Sequence, residues 1–496
     1  MSSTMSSTIP SLAELSTVSL PQLAGISVIL ALLPFLLKGL TNPLRHIPGP
    51  WYSRWTGLVY AYYHMTGKSP TYIHALHQKY GPVLRIAPNS VDFTNPDDAQ
   101  AIHRIKGDFI KGDFYKDTRA NLFNVQDVEV HRRWRKLLSY PLSESGLQTV
   151  LPQVEANVRF AIQQMAKEME TRGAADVFKW WMLMTSDVIG ELTFGESFRL
   201  LQTGQTNQYL LDIQTFGAST IIEQTLPWVR KIPKAICPSF LQNALEAVPR
   251  VNAHSEKLLS KYQQRLENDA QAPPTLFTRL INNAKGEDTL SHAEITYNAG
   301  LYVIAGSDTT SNTLTYLVYR VCKDPAVKQR LVEEVSSLPG DFDTQQLKDL
   351  PYLSQVVSET LRLHSAAPAG LPRLVPPSGA TLGGYTFPPR TTVLTQAYSL
   401  HRNEDIFPEP DRFNPDRWAH PTKRMKDSYM PFGGGSRSCI GIHLAYHELR
   451  LATTLFFRQF PHATISKLEG MSDEDMEPAL YFIMNPKGHR CLVQAS

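Results

Sequence analysis

From Ile295 to Tyr319 the chain runs 25 residues with a single charge, Asp308. The stretch is too rich in Thr, Ser and Asn for a lipid-facing span, so it reads as a helix buried in a protein core. Ser291, followed by His292-Ala293-Glu294, supplies an N-cap and an acidic first turn, and the helix is expected to reach about Arg320. Such a helix needs a large apolar body around it. Of 496 residues 42% are hydrophobic, with 21 Phe, 20 Tyr and 7 Trp, which suffices for a deep core and excludes wholesale disorder. A second constraint lies downstream. Residues 365–431 carry 11 prolines, so no long helix fits there, and short strands such as Thr391–Thr395 with tight turns are expected.

The rest of the body is predominantly helical by pattern. Helices are predicted over 69–80, 150–170, 179–194 and 245–268, two more within 325–364, and one resuming near Ile442. Val83–Ala87 and Ser90–Phe93 form a small predicted hairpin. Residues 200–240, with Pro227, Pro233 and Pro238, read as irregular. No repeat and no linker of disordered composition divides the chain. The expectation is a mainly α protein with a minor β portion, its single catalytic domain spanning 47–496.

Residues 1–46 form a separate N-terminal segment. Leu15 to Leu37 lacks any charge and is just long enough to span a bilayer, and Pro34 is tolerable in such a span. No basic n-region and no small-residue cleavage site mark it as a removable signal. Glu14 precedes the stretch, while Lys38, Arg45 and Arg54 follow it, so the body is expected on the cytosolic face. The absence of any N-x-[ST] acceptor agrees with this. Ile47-Pro48-Gly49-Pro50 makes a stiff joint between anchor and body.

Composition removes several functions. Net charge is +3, from 49 basic and 46 acidic residues, too balanced for a nucleic-acid binder. Cys237, Cys322, Cys439 and Cys491 are far apart, which excludes a zinc ribbon, a single-loop iron–sulfur site and a disulfide scaffold.

The chemistry-bearing element is Phe432-Gly433-Gly434-Gly435-Ser436-Arg437-Ser438-Cys439-Ile440-Gly441. Three consecutive glycines let a loop press against a flat object. A lone cysteine before a helix N-terminus is a candidate thiolate, and Arg437 can neutralise a carboxylate. One cysteine holds neither zinc nor an iron–sulfur cluster, but it can be the axial ligand of haem iron. The bland alternative is a buried, inert cysteine in a glycine turn. A nucleophile lacks a local base partner.

The spacing of Phe432, Gly435, Arg437, Cys439 and Gly441 resembles the F-x-x-G-x-R-x-C-x-G loop of the cytochrome P450 superfamily. That resemblance implies the family's fold behind one transmembrane helix, haem b, and Cys439 as the thiolate ligand of its iron. Glu359-Thr360-Leu361-Arg362 alone would pass for a surface pair. Beside the loop it is similar to the family's buried Glu–Arg pair, whose third member, the Arg of P-E-R-F, matches Arg417 in Pro415-Asp416-Arg417-Trp418. Ala305-Gly306-Ser307-Asp308-Thr309-Thr310 resembles the family's oxygen-binding groove. Taken alone, it could be a kinked core helix with a satisfied acid. Gly306 would let a ligand approach the backbone, Thr309 would bond back and loosen the helix, and Asp308 with Thr309 would relay protons to dioxygen. Further cations for the haem edge are implied at His131, Arg135 and Arg373, while Trp134 reads as core. Arg132, Arg133 and Lys136 fit equally a solvated face and a docking site for an acidic electron-transfer partner.

The resemblance implies a membrane-anchored haem monooxygenase on the endoplasmic reticulum. It would receive electrons from NADPH through a flavoprotein reductase and insert one oxygen atom into a hydrophobic small molecule. It looks most like microsomal enzymes of fungal secondary metabolism. Residues 114–123, 200–240, 301–305 and 366–371 would line the pocket. Two rivals share the scaffold: an isomerase or dehydratase, and a non-catalytic haem-binding sensor.

Overall fold

A computed structural model describes residues 21–22, 27, 33–34, 36–116, 119–269, 271–282 and 289–495. Most of the expected anchor, 15–37, lies outside the described residues. Among those described, no helix is long and apolar enough to cross a membrane.

The principal helices are α1 (Leu58–Met65), α2 (Ser69–Tyr80), α3 (Val128–Ser139), α4 (Leu151–Arg172), α5 (Val177–Phe194), α6 (Gln208–Thr225), α7 (Ser239–Asn268), α8 (His292–Lys323), α9 (Pro325–Ser336), α10 (Pro351–Leu363) and α11 (Ile442–Gln459). The long uncharged stretch is α8. Its start is the expected one: Ser291 Oγ accepts from Glu294 N–H, and the Glu294 carboxylate accepts from Ser291 N–H. The helix runs through the main core, against α5, α7, α10 and α11.

The β portion is small. Strands β1 (Val83–Ala87), β2 (Ser90–Phe93), β3 (Ile110–Lys111), β4 (Arg373–Leu374) and β5 (Thr392–Leu394) form one sheet in the order β1-β2-β5-β4-β3. β1 and β2 are the expected hairpin. β2 pairs parallel to β5, and β4 pairs antiparallel to both β5 and β3. Near the C-terminus, β6 (Pro478–Leu480) and β7 (Met484–Pro486) form a separate hairpin.

One stretch differs from the sequence reading. Residues 200–240 contain α6, an 18-residue helix. Its segment is free of proline, and Asn207 caps it by accepting from Leu210 N–H. Pro227, Pro233 and Pro238 all fall after its end, so the irregularity they impose is confined to 226–238. The next helix also begins earlier than expected, at Ser239, and continues through Pro249.

Candidate active site

The Cys439 loop is shaped by its glycines. Gly433 and Gly435 have φ of +68° and +60°, a region costly for other residues. A Cβ on Gly435 would lie 1.6 Å from the carbonyl oxygen of His103. Cys439 N–H donates to Phe432 O at 2.8 Å and closes the loop, and the Phe432 ring packs on Tyr446. α11 starts at Ile442, with Gly441 as its cap, and Gly441 N–H donates to the Cys439 sulfur. Burial nevertheless raises the thiol, against the pull of Gly441 and Arg135. The side chain is accessible all the same. A group both enclosed by protein and open to contact stands on an internal hollow. On α8, Ala305 is exposed while Leu301, Ile304, Gly306 and Thr309 are half-exposed, between the buried Val303, Ser307, Asp308 and Thr310. That helix reaches the Cys439 loop through Tyr302, whose hydroxyl feels the thiol.

Positive charge gathers beside the loop. Sheet register sets Lys111 of β3 directly opposite Arg373 of β4, and both are buried. Like charges facing across strands repel. Arg437 and Arg135 complete the group, and among the described residues none of the four makes an ion pair. Arg437 donates to Val125 O at 2.7 Å and to Gln126 O at 3.3 Å. Lys111 donates to Phe123 O, and Arg373 Nη1 has no hydrogen-bond partner. Arg135 donates to Ser438 O at 2.7 Å and Ser438 Oγ at 3.2 Å, so it braces the cysteine loop itself. Burial, and then Arg373, lowers Arg437 to about 10. Burial, with Arg373 and Arg437, drives Lys111 well below its ordinary value. His131 lies in the same field and is lowered to about 3 by burial and its cationic neighbours, so it is a neutral ring rather than the expected cation. His103, also lowered to about 3, donates or accepts with Thr395 Oγ1 at 2.6 Å and leaves Nδ1 unpartnered.

The α8 groove departs from expectation at Gly306. A Cβ there would meet Ile189 of α5 at 2.7 Å, so the glycine lets two helices approach rather than a ligand. Thr185 of α5 seals that contact by donating to Ser307 O at 2.7 Å. Thr309 Oγ1 does bond back, to Ala305 O at 2.7 Å. Asp308 is buried, its Oδ1 has no partner among the described residues, and desolvation raises it to about 7. Glu448 of α11 is buried too, raised to about 8 by desolvation despite a hydrogen bond from Thr310.

Glu359 and Arg362 are fully buried on α10 and joined by two bonds of 2.8 and 2.9 Å. Glu359 also accepts from Arg417 Nε at 3.0 Å and from Asn414 N–H at 2.9 Å. Trp418 stands where the family pattern has Phe, and its indole N–H adds a bond to Glu359 at 2.9 Å. The other departure, Asp416, pairs with exposed Arg330 instead. Arg362 donates to His401 O at 2.7 Å, and His401 Nε2 accepts from Met430 N–H at 2.9 Å. That bond fixes the tautomer, so Nδ1–H donates to Arg362 O at 2.9 Å. His401 thus ties the network to the stem of the cysteine loop.

The cytochrome P450 family model matches residues 47–493. The chain belongs to the cytochrome P450 family. Among curated P450 relatives it is 41% identical over 491 residues to the cytochrome P450 monooxygenase orf2 of Aspergillus niger, covering 98% of this chain and 100% of the relative. It is 43% identical over 459 residues to the cytochrome P450 monooxygenase tazI of Aspergillus terreus, covering 91% and 94%. A retinoic acid-bound cyanobacterial P450, CYP120A1, shares the fold with a TM-score of 0.69 and 22% identity over 85% of this chain and 93% of that one. The chain is therefore a P450 monooxygenase, a haem-thiolate enzyme, as the loop implied.

The P450 cofactor fits what the site lacks. Among the described residues, four cationic side chains without an ion pair, two of them set face to face, call for a ligand with carboxylates. Sequence reading found Arg135, Arg373 and Arg437 but missed Lys111, His103 and His401. Lys111 carried no local signal, because its partner across the sheet is 262 residues away.

Proposed function

We propose that Cys439 ligates the iron of haem b at the floor of the hollow, and that the enzyme oxidises a hydrophobic small molecule in secondary metabolism. The observation that carries this reading is the accessible Cys439 thiol beside a set of buried and half-buried cations that calls for anions. When bound, the haem supplies oxygen activation, which thiolate donation favours. Lys111, Arg373, Arg437 and neutral His131 would hold its carboxylates, and Arg135 would steady the loop through Ser438. Phe432, Gly435 and Gly441 set the loop's curvature. Glu359, Arg362 and Arg417 hold the segment behind it.

Asp308 and Thr309 form the proton-handling pair. Half-protonated near neutrality, Asp308 can give or take a proton at Oδ1. The Thr309 hydroxyl faces the hollow while anchored to Ala305 O, so its lone pairs stay available.

In this reading residues 1–46 anchor the 47–496 domain to the endoplasmic reticulum, cytosolic side outward. Exposed Leu33, Leu36, Leu37, Leu40 and Trp51 support contact with lipid. Electrons would come from NADPH through a flavoprotein reductase docked on α3, where Arg132, Arg133 and Lys136 lie on the exposed side and His131 and Trp134 on the buried one. The fungal monooxygenases among its relatives support the secondary-metabolic placement. The test is the reduced, carbon monoxide-treated protein. A thiolate-type Soret band is expected in the parent and is absent from Cys439→Ala. A folded parent without that band overturns the reading.

A further inference from the structure

Three phenyl rings stand outside the packed cores of the described molecule. Phe114, Phe123 and Phe482 are half-buried, belong to none of the three hydrophobic clusters, and pack on one another instead. Phe114 and Phe482 lie nearly parallel, 6.2 Å between centroids and 19° between planes. Phe123 meets Phe482 edge-on at 5.6 Å. Tyr115 completes the group, edge-on to Phe114 at 5.1 Å and to Phe123 at 5.3 Å. The rings come from stretches far apart in the chain, and Phe482 sits at the tip of the β6–β7 hairpin.

Hydrogen bonds hold this wall at the hollow. Met484 N–H donates to Ala366 O at 2.8 Å, which fixes the hairpin. Leu122 N–H donates to Asn298 Oδ1 at 2.9 Å, one turn before Leu301 on α8. Val125 O accepts from Arg437, beside the cysteine loop. The α8 segment just after Asn298, Leu301 to Ala305, bears no charge, and Ala305 offers little bulk.

Aliphatic side chains would cover an aliphatic substrate as well as phenyl rings do. What rings add is offset stacking and edge-to-face contact with another π system. The Phe114 and Phe482 centroids are 6.2 Å apart, less than the about 7 Å that a ring inserted between them would need. A ligand must therefore lie on the wall rather than inside it. Lys111 Nζ already stands over the Tyr115 and Phe123 rings, at 4.3 and 4.7 Å, from the haem-edge side.

We infer that the substrate is a flat, uncharged aromatic ring system, held over the hollow by stacked and edge-to-face contact with the Phe482 and Phe114 rings and selected for its planarity. The inference rests on the hollow being the monooxygenase pocket and names the substrate class for it.

The test is a titration of the haem-loaded full chain with 2-naphthol and with decahydro-2-naphthol, which share carbon skeleton and hydroxyl but not planarity. Soret shift and calorimetry are both read. The parent is expected to bind 2-naphthol about tenfold tighter, the sum of two aromatic contacts. Phe482→Leu and Phe114→Leu should each lower naphthol affinity about threefold and leave decahydronaphthol within twofold. Equal affinities in the parent, no binding of either probe, or a preference that survives both substitutions overturns the inference. A missing thiolate-type Soret band before titration is the failure of the haem-thiolate reading instead, and calorimetry then still decides planarity.

Discussion

Arg362→Ala is the sharpest probe of the network behind the cysteine loop. The guanidinium makes four hydrogen bonds: two to Glu359, one to His401 O and one to Arg412 O, at 2.7 to 3.2 Å. Breaking one member of a buried pair costs about 3–5 kcal/mol. Glu359 would keep Asn414 N–H, Arg417 and Trp418, which argues for the low end. Two carbonyls would lose a buried donor at about 1–3 kcal/mol each, which argues for the high end. A loss of about 4 kcal/mol corresponds to three powers of ten. His401 passes that loss to Met430, two residues before Phe432, so it should appear as haem release. The assay is transfer of haem to apomyoglobin, followed in the Soret region. Arg330→Ala is the control, because it breaks an exposed pair with Asp416 worth ~1 kcal/mol or less. Haem loss from Arg362→Ala within threefold of the parent, or equal to that from Arg330→Ala, would falsify the argument.

Two further outcomes follow from α8. Asp308 ionises near 3.8 in an unfolded chain and near 7 in the folded one, so between those values the folded state holds the extra proton. Its contribution is therefore complete below about pH 4, falls as pH rises to about 7, and is flat above, a loss of roughly 4 kcal/mol that Asp308→Asn should abolish. Thermal unfolding of both proteins from pH 4.5 to 8 checks this, and parallel curves would refute it. Thr309→Ala should keep its haem, since among the described residues the hydroxyl bonds only to Ala305 O, but lose about tenfold in product formed per NADPH, with hydrogen peroxide appearing instead. Unchanged coupling would remove Thr309 from proton handling.

Several features were legible because their causes are local. The Ser291–Glu294 cap, the β1–β2 hairpin and the Glu359–Arg362 spacing each lie within a few turns of chain, where periodicity and capping chemistry act. The Cys439 loop was legible for the same reason: its glycines and cysteine are consecutive, and their conformational freedom belongs to the residues themselves. α6 was missed because the prolines beyond Thr225 were read as disrupting the whole stretch. Gly306 was misread because a glycine's neighbour, here Ile189, belongs to another helix.

The amino-acid order alone marked the uncharged core helix with its cap, the β1–β2 hairpin and the Cys439 loop. Tertiary packing alone decided that Lys111 faces Arg373, that His401 joins Arg362 to Met430, and that Phe114, Phe123 and Phe482 meet. Helix caps and turns are set by interactions within a few residues. Charge crowding, desolvation and an open hollow arise only when segments hundreds of residues apart are pressed together and water is removed between them.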